Sequence, residues 1–516
     1  MLTAKAAMPC RPEWVLGLAG FCLILLQFFM LREVTALLKG TELVILLVTL
    51  AYFIGYSLGY GVAGRLSNDA LRLIALLTWV LHLTIPFSFR YIGGFLASLA
   101  TSGLALYGLL FLTAFALSSF YSILLPRFID QAADDTQAPS LSGADQESDR
   151  VWNPPPPLVR LYGAELLGAV GGVLALLATA SVPWLPSILY QAALALLVAL
   201  LWSRPLIWLV TGAGVVGYVL IYPTAQQDSL NYSYAKTRGF TGHQVVYSVN
   251  TLYQKVDVVR EANGRRNLYL SGRLNYGTNL LSRLNVGLSL LPAKLLRPRE
   301  ALIVGSGSME SVRHAAEFSG QVTTCELDAA VVTGSRQWLA DVNRLNDINN
   351  WSLVIADAKE FLGRTNKRFD LIVMDVPAPT TIQLGLLHSV DFYRLAQQRL
   401  SKNGMISVSL CGTFAPDIRA PRTVAAALLK VFPTVLIFTA KEARRSFALA
   451  GETLPFSLEE FRAVGASLGF STIHIFNALE IEDIVADTEP MTADNMWHVV
   501  RDSWSHLHDM MVEGAR

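Results

Sequence analysis

The chain has 516 residues, 53% of them hydrophobic and 16% charged, with a formal net charge of +1. Near-neutrality argues against a nucleic-acid binder, and the charged share lies well below the usual value of about a quarter. The four cysteines (Cys10, Cys22, Cys325 and Cys411) form neither a CxxC pair nor a disulfide framework, which argues against structural zinc.

Charges are sparse up to about Tyr222 and ordinary beyond it. Apolar runs at 14–30, 43–63, 71–87, 103–125, 161–182, 186–202 and 206–222 approach the roughly 20 residues that a spanning helix needs. They predict an N-terminal α-helical polytopic membrane domain of about seven helices over residues 1–222. Part of 91–125 has the length for a re-entrant turn or a further short span. Residues 129–157 are polar, acidic and rich in Pro and Ser, so they read as a disordered, solvated loop. Glu33, Glu42 and Glu165 lie at or inside apolar runs, where an ionisable group is expensive and is a functional candidate. Arg32 beside Glu33 reads as an interfacial pair. Around Glu165, Gly163, Gly168, Gly171 and Gly172 allow close helix packing, which favours polar glue over transport.

Residues 223–290 read as a small β domain. Short alternating stretches at 244–249, 253–261 and 266–276 predict strands, and Asn263-Gly264 is a hairpin signal because both residues tolerate positive φ.

Residues 291–516 read as an α/β Rossmann-like domain of methyltransferase type. Strand 301–304 leads to a turn with Gly305 and Gly307, then to a helix over 309–318 and a strand ending in Glu326. Strands 352–356 and 371–374 are followed by Asp357 and Asp375. A helix over 389–400 precedes strands at 405–410, 434–438 and 446–450. Strands alternating with helices predict a doubly wound parallel sheet, whose ligands bind at the carboxyl ends of the strands. Gly305, Glu326, Asp357 and Asp375 all stand there. A third glycine of G-x-G-x-x-G would fall at Glu310, so a methyltransferase-type nucleoside site is favoured over a dinucleotide site. An acid ending the second strand can accept both ribose hydroxyls. Asp357 and Asp375 also suit helix N-caps or turns. His243, His314 and His388 lack metal spacing, and Ser306 and Ser308 lack a nucleophile elbow. Trp497, His498 and His506 suggest an amphipathic helix near the C-terminus.

The stretches LYQKVDVV, LYLSGRLNY, ALIVGSGS, TCELD, IADAKEFL, FDLIVMDVPAP and LHSVDFYRLAQQRLSKNGMISV, in this order across about 252–412, resemble the spermidine synthase (polyamine aminopropyltransferase) family in its membrane-fused bacterial form. The resemblance implies a transferase whose co-substrate is S-adenosylmethionine or its decarboxylated form, with no metal. It implies that Gln254 approaches the nucleoside, Glu326 holds the ribose, and Asp357 and Ala358 lie near the adenine. Asp375 matches the first acid of the family's D-x-x-D-P loop, which takes a proton from the attacking amine. The chain departs from the family where amines are held. Ser308 replaces an acid that grips the co-substrate's amine, Ala378 replaces the second Asp, and the substrate Tyr falls at about Leu284. Arg283 adds a positive charge. A polycation needs carboxylates to offset its desolvation, so an altered acceptor is expected and putrescine is disfavoured.

The alternatives are a catalytically inactive scaffold or sensor in a membrane complex, and a transporter. Expected partners are the lipid bilayer, a small-molecule acceptor, membrane proteins or a second copy of the chain. With seven helices, the distribution of Lys and Arg places the C-terminal part outside. A nucleoside made in the cytosol favours a multi-pass inner-membrane protein with a cytoplasmic catalytic part.

Overall fold

The computed structural model describes residues 11–99, 108, 111, 115, 118–129, 157–180, 182–202, 204–278, 282–501 and 503. The expected loop lies outside them over 130–156, as do much of the run 103–125 and His506. The chain forms two compact units, one of Met1–Leu38 with Val44–Gly239, the other of Lys39–Leu43 with Phe240–Arg516.

The first unit holds helices α1 (Pro12–Leu37), α2 (Glu42–Ala63), α3 (Asn68–His82), α4 (Phe87–Leu99), α5 (Pro157–Ala178), α6 (Leu185–Leu201) and α7 (Pro205–Arg238). Among the described residues, α1, α2, α5 and α7 are long and apolar enough to cross a membrane. The α3–α4 pair, bent by 71°, raises the number to five at most. The expected seven is reduced for two reasons within these residues. The run 71–87 breaks before Pro86, which has no N–H to continue a helix, and α6 has only 17 residues. The boundary expected at 222 is also displaced. Hydropathy falls at Tyr222, but α7 continues to Arg238 and stops at Gly239, whose left-handed backbone (φ 69°) closes an N–H on the Ala235 carbonyl at 3.0 Å.

Small residues let α1 and α5 touch backbone to backbone. A Cβ on Gly168 would fall 1.7 Å from the Gly17 carbonyl oxygen, and one on Gly20 would fall 2.0 Å from that of Glu165. Glu165 itself accepts a hydrogen bond from the Tyr56 hydroxyl. Glu33 is held by Arg90, whose Nε and Nη2 donate to its two oxygens at 2.8 and 2.7 Å. Gln226 and Ser229 of α7 accept from Arg90 Nη1.

The second unit begins with a four-stranded antiparallel meander: β1 (Gln244–Asn250), β2 (Lys255–Arg260), β3 (Arg266–Leu270) and β4 (Arg273–Gly277). The stretch 266–276 is two strands rather than one, because Ser271 and Gly272 turn the chain with φ of 45° and 72°. At Asn263-Gly264 only Gly264 is left-handed (φ 83°), while Asn263 Oδ1 accepts from Arg265 N. The meander packs Val256, Val258 and Leu268 against Val331 and Leu339.

The larger sheet runs β12-β10-β11-β9-β8-β5-β6-β7, with β5 (Glu300–Gly305), β6 (Gln321–Glu326), β7 (Trp351–Ile355), β8 (Phe369–Asp375), β9 (Leu400–Ser409), β10 (Thr434–Ala440), β11 (Arg445–Gly451) and β12 (Ile473–Ile475). Strands β9, β8, β5, β6 and β7 are parallel, as expected. The sheet as a whole is mixed, since β11 runs antiparallel to both β9 and β10. Only residues 441–444 separate β10 from β11, whereas a parallel connection needs about a dozen. Helices α8 (Glu310–Ala316), α9 (Ala329–Trp338), α10 (Ala358–Arg364), α11 (Ile382–Leu387), α12 (Val390–Arg399), α13 (Arg419–Leu429), α14 (Leu458–Ser467) and α15 (Ala478–Val485) complete the unit.

Core clusters cover both faces of the sheet, one around Leu302, Ile372 and Phe392, the other around Ile303, Val373 and Phe447. The helical segment 282–296 crosses the boundary expected at 290 and adds Leu288 and Leu291 to the second cluster. Glu42, read as a membrane candidate, groups with this unit: its N–H donates to the Thr380 carbonyl at 2.9 Å and its Oε2 accepts from Ile382 N at 3.0 Å.

Candidate functional site

Strand order reverses at β5, which pairs with β6 on one side and β8 on the other. The carboxyl ends of these strands are where an open α/β sheet holds its ligand. Gly305, Glu326 and Asp375 are each the last residue of a strand, and Asp357 follows β7 by two residues. The topology therefore sets all four along one edge.

The glycine loop is shaped by its backbone. Gly305, Ser306 and Met309 have φ of 84°, 77° and 62°. Ser306 N donates to the Asp375 carbonyl at 3.0 Å, which ties the loop to the end of β8. The loop carbonyls of Gly307 and Ser308 accept from the side chains of Ser335 and Asn343.

Glu326 is partly buried, and Asp328 N donates to its Oε1 at 3.0 Å. Burial pushes its carboxyl up to about 7, the Asp328 and Asp375 charges add to this, and the N–H groups of Asp328 and Leu327 oppose it. Gln254 closes the turn between β1 and β2 and aims its amide at the same place. Its Nε2 lies 3.3 Å from Asp328 Oδ2, which also accepts from Thr251 Oγ1 at 2.8 Å. Asp328 links the meander to the Rossmann-like core and caps α9 through Ala330 N. Sequence reasoning passed over it, although an acid just before a helix is an N-cap signal. Asp357 is exposed and caps α10, its Oδ1 accepting from Lys359 N and Glu360 N. That is the N-cap role left open from sequence, and Ala358 is buried behind it.

Asp375 is raised by burial, while the nearby hydroxyls of Ser311 and Ser306 pull it down. The following segment is pinned by His388. Its Nε2 lies 3.1 Å from the Pro377 carbonyl and its Nδ1 3.2 Å from the Tyr393 hydroxyl. Burial lowers His388 to about 4, so the ring is neutral, donating from Nε2 and accepting at Nδ1. His388 therefore holds the loop beside the candidate base.

Two departures noted from sequence take a different meaning in space. Arg283 points away, donating to the Leu468 carbonyl at the end of α14 at 2.7 Å, where a cation suits the helix terminus. Ser308 turns its hydroxyl to Glu310 N at 3.3 Å and is buried. Glu310, noted from sequence only as the place of a missing glycine, is a buried carboxylate accepting from Asn285 Nδ2 at 2.6 Å. Among the described residues, no group of three or more His, Cys, Asp or Glu has the arrangement to hold a metal ion.

Residues 284–417, which contain the glycine loop, β6, β8 and the Asp375 segment, match the spermine/spermidine synthase domain family. Over this region the chain is similar to the spermidine synthase family. Polyamine aminopropyltransferase 2 of Ralstonia nicotianae is 27% identical over 212 residues, covering 40% of this chain and 41% of the relative. The polyamine aminopropyltransferase of Mycobacterium tuberculosis is 32% identical over 180 residues, covering 33% of this chain and 34% of the relative. The chain thus spans about two fifths or less of the length of these relatives. Two solved structures are also similar. A spermidine synthase in complex with the transition-state analogue AdoDATO is 21% identical at a TM-score of 0.40, covering 47% of this chain and 88% of that one. The spermidine synthase of Thermotoga maritima is 20% identical at 0.38, covering 47% and 87%. The matched residues include Glu310, Glu326, Asp357 and Asp375, while Gln254 lies on the meander before them.

Proposed function

We propose that this protein is a membrane-anchored, spermidine-synthase-like transferase that binds S-adenosylmethionine or its decarboxylated form and passes an alkyl group to an amine. The observation that carries this reading is the placement of Gly305, Glu326 and Asp375 at the ends of three adjacent parallel strands, with Gln254 reaching Asp328 beside Glu326. Glu326 takes the ribose hydroxyls, and the Asp357–Ala358 corner flanks the adenine. The amine nitrogen attacks the carbon bound to the sulfonium, the carbon–sulfur bond breaks, and the thioether nucleoside leaves. Asp375 receives the proton released from the nitrogen. Its raised pKa suits that task, because a carboxylate nearer neutrality is a better proton acceptor.

The apolar helices anchor the chain in the cell membrane, and supply of a nucleoside from the cytosol places the transferase on that side. The acceptor differs from the family's, as Ser308 and Ala378 stand where acids are expected. The test is calorimetry on the full chain in detergent with S-adenosylmethionine, decarboxylated S-adenosylmethionine and methylthioadenosine. Binding of at least one is expected, with Asp375→Asn abolishing turnover at nearly unchanged nucleoside affinity. No binding of any of them would favour the non-catalytic scaffold instead.

A further inference from the structure

The acceptor side of the site holds more negative charge than the matched family positions alone supply. Glu310 is 3% exposed, with Asn285 Nδ2 on one oxygen at 2.6 Å. The cations nearest its other oxygen are Arg313 at 3.6 Å, itself one-third exposed, and His314 at 3.9 Å. His314 is lowered to about 3, by burial first and Arg313 second, so it stays neutral. Asp375 forms no ion pair among the described residues.

The two acids share their surroundings. Ser311 Oγ lies 3.4 Å from Asn285 Oδ1 and beside the Asp375 carboxyl. Ser306, whose N–H holds the Asp375 carbonyl, is fully buried, and its hydroxyl has no hydrogen-bond partner of good geometry. Asp375 raises Glu310, in addition to the larger effect of burial. A buried pair of acids with one partly exposed guanidinium is short of positive charge, and a charge removed from water needs a partner.

We propose that Glu310, together with Asp375, binds an ammonium group of the acceptor, so that Glu310 is the residue that makes this chain select a cationic amine. This rests on the transferase reading above. Glu310 takes over the charge missing at Ser308 and Ala378. With Arg283 turned to the Leu468 carbonyl, no opposing charge comes from that residue.

The test uses the full chain in detergent, with methylthioadenosine as the nucleoside probe and the longer diamine cadaverine as the amine probe. Glu310→Gln, which keeps an oxygen for Asn285, is expected to leave methylthioadenosine affinity within about twofold and to weaken diamine binding by about tenfold or more. Arg313→Gln is expected to tighten diamine binding, an opposite shift that a purely structural role for Glu310 does not produce. Equal diamine affinity in Glu310→Gln and the wild type, or no diamine binding to a wild type that binds methylthioadenosine, would overturn the assignment of Glu310 alone. Failure of methylthioadenosine to bind the wild type would overturn the transferase reading and this one with it.

Discussion

Gly305 and Asp375 face each other across the β5–β8 pair, and a side-chain carbon on Gly305 would lie 2.4 Å from the Asp375 carbonyl oxygen. The strand that starts the glycine loop and the strand that delivers the candidate base are thus in backbone contact where the sheet order reverses. The contact explains why glycine stands there, because Gly305 also has φ of 84°.

Gly305→Ala is therefore expected to destabilise the C-terminal unit by about 2 kcal/mol or more, combining left-handed strain with a backbone clash. Asp375 would shift with it, so methylthioadenosine binding should fall as well. Thermal unfolding and calorimetry on the variant check this; wild-type values for both would count against the close approach.

Glu326 predicts the sign of a pH effect. Its folded-state pKa is raised, to about 7, so the cost of its charge is absent below the ordinary carboxylate range and complete above about 7. The unliganded unit accordingly loses stability as pH rises through that window. Ribose hydroxyls donate to the ionised form, so nucleoside affinity should rise with pH, by up to about tenfold per unit below pH 7, and level off above it. Calorimetry across pH should show this slope in the wild type and a flat, weaker profile in Glu326→Gln.

His388→Phe removes the donor to the Pro377 carbonyl while keeping a ring in the core. Leaving a buried carbonyl unsatisfied costs about 1–3 kcal/mol. Because His388 holds the Pro377 carbonyl in the segment that follows Asp375, turnover should fall more than methylthioadenosine affinity. A variant that loses both equally would point to general unfolding instead.

The Glu33–Arg90 pair makes a prediction for the helical unit. Arg90→Ala leaves a buried carboxylate without its bidentate partner, at a cost of about 3–5 kcal/mol. The double variant Glu33→Leu, Arg90→Met should be closer to wild type than Arg90→Ala, as judged by thermal unfolding in detergent. If the double variant is the less stable one, the pair stabilises through more than its mutual charge.

Glycines on α5 should differ in tolerance. Gly168→Val drives a side chain into the Gly17 backbone and is expected to abolish folded protein, whereas Gly163→Ala meets open space and should stay within about 0.5 kcal/mol of wild type. The yield of monodisperse protein distinguishes them.

Much of the C-terminal unit was legible because its signals are local. Strand 301–304, the glycine turn and the acids after each strand are short-range patterns, and the parallel strands β5 to β9 appear where the alternation predicts them. The reversed direction of β11 was readable only from the brevity of 441–444. The extension of α7 beyond Tyr222 was hidden because hydropathy reports the solvent, while the helix depends on backbone hydrogen bonds that polar residues form equally well.

By itself the sequence determined the strand-end edge of the candidate site: Gly305, Glu326 and Asp375 end strands and Asp357 follows one, and strand ends converge in any doubly wound sheet. Only the tertiary structure decided how the charged residues around that edge are placed. Whether Arg283 lies in the site or caps α14, and whether Glu310 is a surface charge or a buried partner of Asn285, depends on segments far apart in the chain packing together. The direction of a charged side chain is set by the partners that compensate its burial, and those partners are non-local.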